Sequence, residues 1–189
     1  PTPPMGFHTF DAAKAEKLED AAARYRFCSR EELLGALAPA AGWHVADLGS
    51  GTGFYTDDVA PRVDHVHAVD VQDAMHDAYR QKGLPENVDL VTADVADLPL
   101  GDDSLDGALS TMTFHEFAGE DSLAELARVL RDGARLAIVD WSANGHGTDG
   151  PNPAERFSAS DAESLLADAG FTVERADERI ETFAVTGVR

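Results

Sequence analysis

Lysine is nearly absent from this chain. There are three, Lys14, Lys17 and Lys82, and basic residues total 15 against 35 acidic ones, for a formal net charge of -20. A chain so poor in cations offers no basic groove, and its charge repels phosphate backbones and anionic lipid. No nucleic-acid partner and no membrane partner are therefore expected. Cysteine is scarcer still: Cys28 stands alone, which excludes an internal disulfide and a thiolate metal cage. Long apolar runs are missing as well, and nothing approaches the ~20 residues that cross a bilayer as a helix. Residues 1–20 lack a basic n-region and an apolar h-region, so no signal peptide is read there and a cytoplasmic location is expected.

What is present is a globular composition. Hydrophobic residues make up 43% of the 189, too many for a disordered acidic tail and enough for one domain with its own core. Asp supplies 22 of the 35 acids. Many short carboxylates with few lysines are similar to the cytoplasmic proteins of salt-in halophilic archaea, where salt screens self-repulsion. On that basis most of the acids are solvated surface.

Hydrophobic periodicity predicts two helices within residues 9–38, with Phe10, Leu18, Ala22 and Tyr25 on one stripe and a Ser29–Glu32 capping box before Leu33, Leu34 and Leu37. Strands are expected at 43–48, 65–70, 88–92, 105–111 and 134–140, alternating with helices after Gly53, over 72–82, and around Leu123, Leu126, Ala127 and Leu130, the last stopped at Gly133. A polar loop follows at 142–157. Then come a helix opened by a Ser160–Glu163 box and two strands, 171–175 and 180–188, too close for an intervening helix. Alternation of this kind predicts an α/β doubly wound, mostly parallel sheet of seven strands whose last strand is antiparallel.

The chemistry gathers at strand ends. Gly49, Ser50, Gly51 and Gly53 lie where the first strand turns into a helix, the place where open α/β sheets bind nucleotide-like ligands. The spacing differs from the nicotinamide fingerprint, because the third glycine comes one residue early. Asp47 precedes the loop; its carboxylate would repel a pyrophosphate and attract an ammonium group. Asp70 ends the second strand, where an acid accepts ribose hydroxyls. Asp94 follows the third; it can accept from an adenine amino group while the Val95 N–H donates to a ring nitrogen. Adenine, ribose and a cationic amino-acid tail together describe S-adenosylmethionine.

At this point VADLGSGTGFYT (45–56), HAVDVQDAM (67–75) and VTADVADLPLGDDSLDGALSTMTFHEF (91–117) resemble a class I S-adenosylmethionine-dependent methyltransferase. GPNPAERFSASDAESLLADAGF (150–171) is similar to the matching segment of the ubiquinone/menaquinone-biosynthesis group. The resemblance implies a Rossmann-like core over 41–189 under an N-terminal helical cap, 1–40, within a single domain. It also implies that Asp47 and the glycine loop hold the methionine portion, Asp70 the ribose, Val71 the adenine face, and Asp94 and Val95 the adenine edge. Ser110 and Thr111 then lie near the methionine tail.

Methyl transfer needs alignment, and a base only where the acceptor must lose a proton. His115, with Glu116 beside it, is the candidate in the loop after the fourth strand. Tyr25, Phe114, Trp141 and His146, with Phe7 and His8, are candidates for the substrate pocket. His65 and His67 share a strand face but have no further ligand cluster, so no metal is expected. The Asn-Pro-Pro-Tyr signature of base and glutamine amino-methylation is absent. A small-molecule acceptor is the expectation, with a homodimer left open; a non-catalytic S-adenosylmethionine-binding module and an NAD(P)-dependent oxidoreductase are the competing readings.

Overall fold

The computed structural model describes residues 10–189; Phe7 and His8 lie outside them. Five strands, β1 (His44–Leu48), β2 (His65–Asp70), β3 (Val88–Thr92), β4 (Leu105–Thr111) and β5 (Leu130–Trp141), pair in parallel in the order β3-β2-β1-β4-β5. Beyond them β7 (Thr182–Val188) runs antiparallel to β5, and β6 (Thr172–Glu178) closes the edge antiparallel to β7. The strand order reverses between β1 and β4, so the chain leaves a crevice at their C-terminal ends, where such sheets place their ligands.

Side-chain alternation explains the two cores. Along β1, Ala46 and Leu48 face one side of the sheet and Val45 the other, and along β4, Ala108 and Leu109 divide in the same way. One face packs Leu48, Val69 and Leu136 under α6 (Glu120–Val129) and α7 (Ala159–Asp168). The opposite face packs Val45, Val66 and Leu109 against α2 (Arg30–Leu37), α3 (Phe54–Val59) and Tyr79 of α4 (Asp73–Lys82). Burial on both faces is what the near-continuous apolar runs of a central parallel sheet require.

Several boundaries differ from the sequence pattern. Residues 9–38 form three elements instead of two: a 3-10 helix at Ala12–Glu19, α1 (Ala21–Phe27) and α2. The break comes from Asp20, whose carboxylate accepts the Ala23 N–H and starts a fresh helix. Phe10 lies outside the helical stripe and is exposed. Only half of the first capping box forms: Ser29 Oγ accepts from the Glu32 N–H at 3.1 Å, but the Glu32 carboxylate turns away to Arg179. The second box sits two residues early. Ser158 and Asp161 complete it, with Asp161 accepting from the Ser158 N–H at 2.8 Å, while Ser160 and Glu163 are already inside the helix. Gly133 does not stop α6, which ends at Val129 and passes directly into β5; the glycine, at φ +80°, lies within that strand, where its N–H donates to the Arg189 carbonyl. Among the described residues, no helix is long and apolar enough to cross a membrane.

Two glycines make opposite predictions. Gly53 has φ +81°, and a Cβ there would meet the Tyr79 ring at 2.1 Å, whereas Gly35 lies in the interior of α2 with open space around it. Gly53→Ala is expected to cost ~3 kcal/mol, from positive φ plus overpacking. Gly35→Ala is expected to add about 0.5–1 kcal/mol. Urea unfolding of both variants checks the pair; equal midpoints would contradict this account.

Candidate cofactor and active site

The loop after β1 is held from below. The N–H groups of Gly49 and Ser50 both donate to the Val69 carbonyl, at 2.9 and 2.8 Å, and that of Gly51 donates to Asp70 Oδ2 at 2.9 Å. Gly49 is required by a close approach as well as by its φ of +75°: a Cβ would stand 2.5 Å from Thr113 Oγ1. Thr113 donates to the Leu48 carbonyl at 2.8 Å, so Ser110 Oγ, 2.9 Å away, is the donor to Thr113. One hydroxyl thus joins the end of β1 to the end of β4.

The three strand-end acids sit in different surroundings. Asp47 is buried; Oδ2 accepts from Thr56 Oγ1 at 2.6 Å and Oδ1 has no partner among the described residues. Burial pushes its carboxyl up to about 6, against the pull of the Thr56 bond and of the Arg24 charge. Arg24, on α1, is held over the faces of Phe54 and Tyr55, 5.5 and 5.0 Å from the ring centroids, and its buried Nε is also without a partner. Asp70 uses one lone pair of each oxygen, for Gly51 N–H and for Gln72 N–H at 2.9 Å, and so keeps acceptor capacity on both. Asp94 is exposed and turns one oxygen onto the Ala96 N–H, while Val95 packs into the core.

His115 is the second residue of the short helix α5 (Phe114–Phe117) and is tied to Asp140, the penultimate residue of β5. Asp140, fully buried, accepts from three N–H groups: His115 backbone at 2.7 Å, Trp141 backbone at 2.7 Å, and His115 Nδ1 at 2.9 Å. Because Asp140 is the acceptor throughout, Nδ1 carries the proton of the neutral ring, and in that form Nε2 keeps its lone pair. Burial disfavours the charged ring, but the Asp140 bond and charge outweigh it and raise the imidazole above its ordinary value. Glu116 Oε1 lies 3.9 Å from Nε2. Burial first, then the charges of Asp70 and Asp140, push the Glu116 carboxyl up to about 7.

These groups line two adjoining cavities. One, of about 560 Å³, is bounded by Asp70, Val71, Asp94, Val95 and Ala96; the other, of about 660 Å³, by Arg24, Phe27, Thr111, Met112, His115 and Trp141. Gly49, Asp70, Thr113 and Glu116 line both. The structure therefore gathers Gly49, Ser50, Gly51, Asp70, Val71, Asp94, Val95, Thr111, His115, Glu116 and Trp141 about one connected space.

Other candidates are placed elsewhere. Tyr25 is off the wall, donating to Asp58 at 2.7 Å. Phe114 is buried among Phe117, Phe157 and Phe183. His146 is exposed and pairs with Glu181 at 3.2 Å. Ser110 acts on Thr113 from the other side of β4. The His65 and His67 rings meet edge to face with centroids 4.6 Å apart, and no group of three potential metal ligands occurs among the described residues. Sequence reasoning missed Asp140, Thr113 and Arg24.

The raised carboxyls set a pH dependence. Asp47 and Glu116 bind a proton more tightly in the folded chain than their ordinary 3.8 and 4.5. That advantage is complete below those values and drains away as pH rises through about 6 and about 7; the raised His115 has the same sign, its contribution lost as pH climbs past its folded value. Stability of the ligand-free chain should fall between pH 4 and pH 8, Asp47 alone accounting for ~3 kcal/mol. Asp47→Asn should flatten the slope and raise the urea midpoint at pH 8. A slope that the substitution leaves unchanged would remove Asp47 from this role.

The model of the methyltransferase domain family matches residues 46–138. An O-methyltransferase of Penicillium expansum is 36% identical over 72% of this chain and 55% of its own length, and a demethylmenaquinone methyltransferase of Clavibacter sepedonicus is 35% identical over 57% and 44%. The chain thus spans about half the length of these curated relatives. Among solved structures, a SAM-dependent methyltransferase from Aquifex aeolicus is 32% identical, with a TM-score of 0.82 over 95% of this chain and 98% of that one. With a glycine loop between two acid-tipped strands, an antiparallel seventh strand and a near full-length relative at that identity, the chain belongs to the class I S-adenosylmethionine-dependent methyltransferases.

Proposed function

We propose that this chain methylates a small molecule whose accepting atom must lose a proton, a hydroxyl being the plainest case, with His115 as the general base. The observation that carries the reading is His115 on the wall of the 660 Å³ cavity, paired with buried Asp140 and next to the residues that both cavities share. The O-methyltransferase relative supports an oxygen acceptor.

The cofactor site fits on its own evidence. Asp47 Oδ1 and Arg24 Nε are buried, unpartnered and of opposite sign, the pair that an amino-acid zwitterion answers, ammonium to carboxylate and carboxylate to guanidinium. Asp70 has lone pairs free for two ribose hydroxyls, and Val71, 49% exposed, offers an apolar face for the base. S-adenosylmethionine supplies an electrophilic methyl on a sulfonium. The chain's own part is then to align and deprotonate. Nε2 of His115 takes the acceptor's proton, and Asp140 stabilises the imidazolium and fixes the ring's orientation. Phe27, Met112 and Trp141 exclude water from the acceptor side. Residues 41–189 serve as the catalytic core, and the preceding helices cover it. A salt-rich cytoplasm is the setting that the acidic surface favours, so assays belong in molar salt.

S-adenosylhomocysteine should raise the melting temperature by mass action and NAD should not. Asp70→Ala should abolish that shift; a chain stabilised by NAD alone would overturn the reading. His115→Ala and Asp140→Asn should each lower kcat by about 10²–10⁴ while leaving S-adenosylhomocysteine affinity within a factor of two. Unchanged turnover in both would remove the base.

A further inference from the structure

The chain's few lysines are not spread evenly. Lys14 and Lys17, two of the three, line the outer cavity, and Lys82 is spent on Glu19 and Asp57. Most arginines are likewise engaged: Arg30 with Asp58, Arg80 with Asp77, Arg128 with Asp102 and Glu125, Arg131 with Asp106, Arg135 with Glu174, Arg175 with Asp177, and Arg179 with Glu32. In a chain with 35 acidic residues against 15 basic ones, the ammonium groups of Lys14 and Lys17 pair with no carboxylate among the described residues. Both sit on the 3-10 helix that roofs the cavity, anchored where Leu18 meets Gly51.

The carboxylates facing this cavity lie mostly at its inner end. Asp70 and Glu116 belong to the wall shared with the neighbouring cavity, which leaves Asp149 as the single acid against Lys14, Lys17 and Arg24 in the rest. Arg24 already feels the charge of buried Asp47. With Asp149 the one acid of this part of the wall, Lys14 and Lys17 leave a locally positive rim over walls formed by Phe10, Phe27, Met112 and Trp141. An isolated cationic rim on so acidic a molecule focuses anions where the surrounding surface repels them.

We infer that the acceptor is a small organic acid, an apolar body carrying a carboxylate or phosphate that seats on Lys14 and Lys17 and so directs its hydroxyl toward His115. This rests on the methyl-transfer reading and adds the class of substrate. Charge-assisted hydrogen bonds to two ammonium groups would hold the acid end, and the apolar walls the rest.

The test uses the full chain saturated with S-adenosylhomocysteine, titrated by calorimetry with matched pairs: salicylate against salicylamide, 4-hydroxybenzoate against 4-hydroxybenzamide, phenyl phosphate against phenol. At least one acid should bind about tenfold more tightly than its neutral partner, a difference of ~1.4 kcal/mol. The double variant Lys14→Ala, Lys17→Ala should lose that preference with S-adenosylhomocysteine affinity unchanged, and Lys82→Ala should keep it. With only three lysines to read, acylation followed by mass spectrometry gives a second measure: the acid should protect Lys14 and Lys17 but not Lys82. A carboxylate and a phosphate pair that behave differently identify which acid is taken. A panel in which no acid outbinds its neutral partner, or a preference that survives the double substitution, overturns the inference. Failure of S-adenosylhomocysteine to bind the wild-type chain would instead strike at the cofactor site.

Discussion

A carboxylate taken out of water must be met by donors, by an opposite charge or by a proton, and the crevice of this molecule is organised by how its buried acids meet that demand. Asp140 is answered in full, by two N–H groups of His115 on the turn it positions and by the Trp141 N–H of its own strand. Asp70 is answered in part, by the glycine loop and by the first turn after β2, and retains acceptor capacity toward the crevice. Asp47 is answered least, with one oxygen on Thr56 and the other orphaned. The gradient runs from structural support to ligand demand. It is steepest where the folded chain most needs something to bind.

The parallel sheet makes this arrangement available. Every parallel strand delivers its last residue to the same edge, so acids from β1, β2 and β5 and hydroxyls from β4 converge without long-range loops. The antiparallel β7, in seven-residue register with β5 from Arg135 to Trp141, holds the end of β5 firmly enough to place Asp140. The roof over the crevice is held more lightly. The Phe10 carbonyl accepts from Gln72 Nε2 at 2.9 Å, and its backbone reaches Glu116 on the other side.

Much of this was legible in the residues. The alternation of strands and helices, the terminal hairpin and the strand-end position of Asp47, Asp70 and Asp94 follow from local pattern, because period-2 and period-3.6 burial are written into consecutive residues. Element boundaries were less so. Asp20 capped a helix start that the stripe of apolar residues did not mark, and Ser158 took the role read at Ser160, the outcome there depending on partners such as Glu178, which lies outside the local pattern yet accepts from the Ala159 N–H. Asp140 escaped notice for a different reason: in a chain with 35 acids, one more at a strand end carries no mark of its own, although the same positional rule that found Asp47 and Asp70 applies to it. Arg24 and Thr113 had no local signal. Their importance comes from meeting Asp47 and Gly49 across the fold, and only the three-dimensional chain brings those pairs together. Tyr25 and Phe114 err the other way, since aromatic character alone does not separate a cavity wall from a core.

Thr113 has a consequence for how the two halves of the site tolerate error. Its hydroxyl fills the space above Gly49 that any side chain there would need, and its neighbour in sequence but one is His115. The glycine loop and the turn that carries His115 therefore share one fastening, beyond the loop's own ties to Val69 and Asp70 and the turn's own tie to Asp140. A substitution at Thr113 is felt on both sides at once, at Gly49 and, two residues along the chain, at His115.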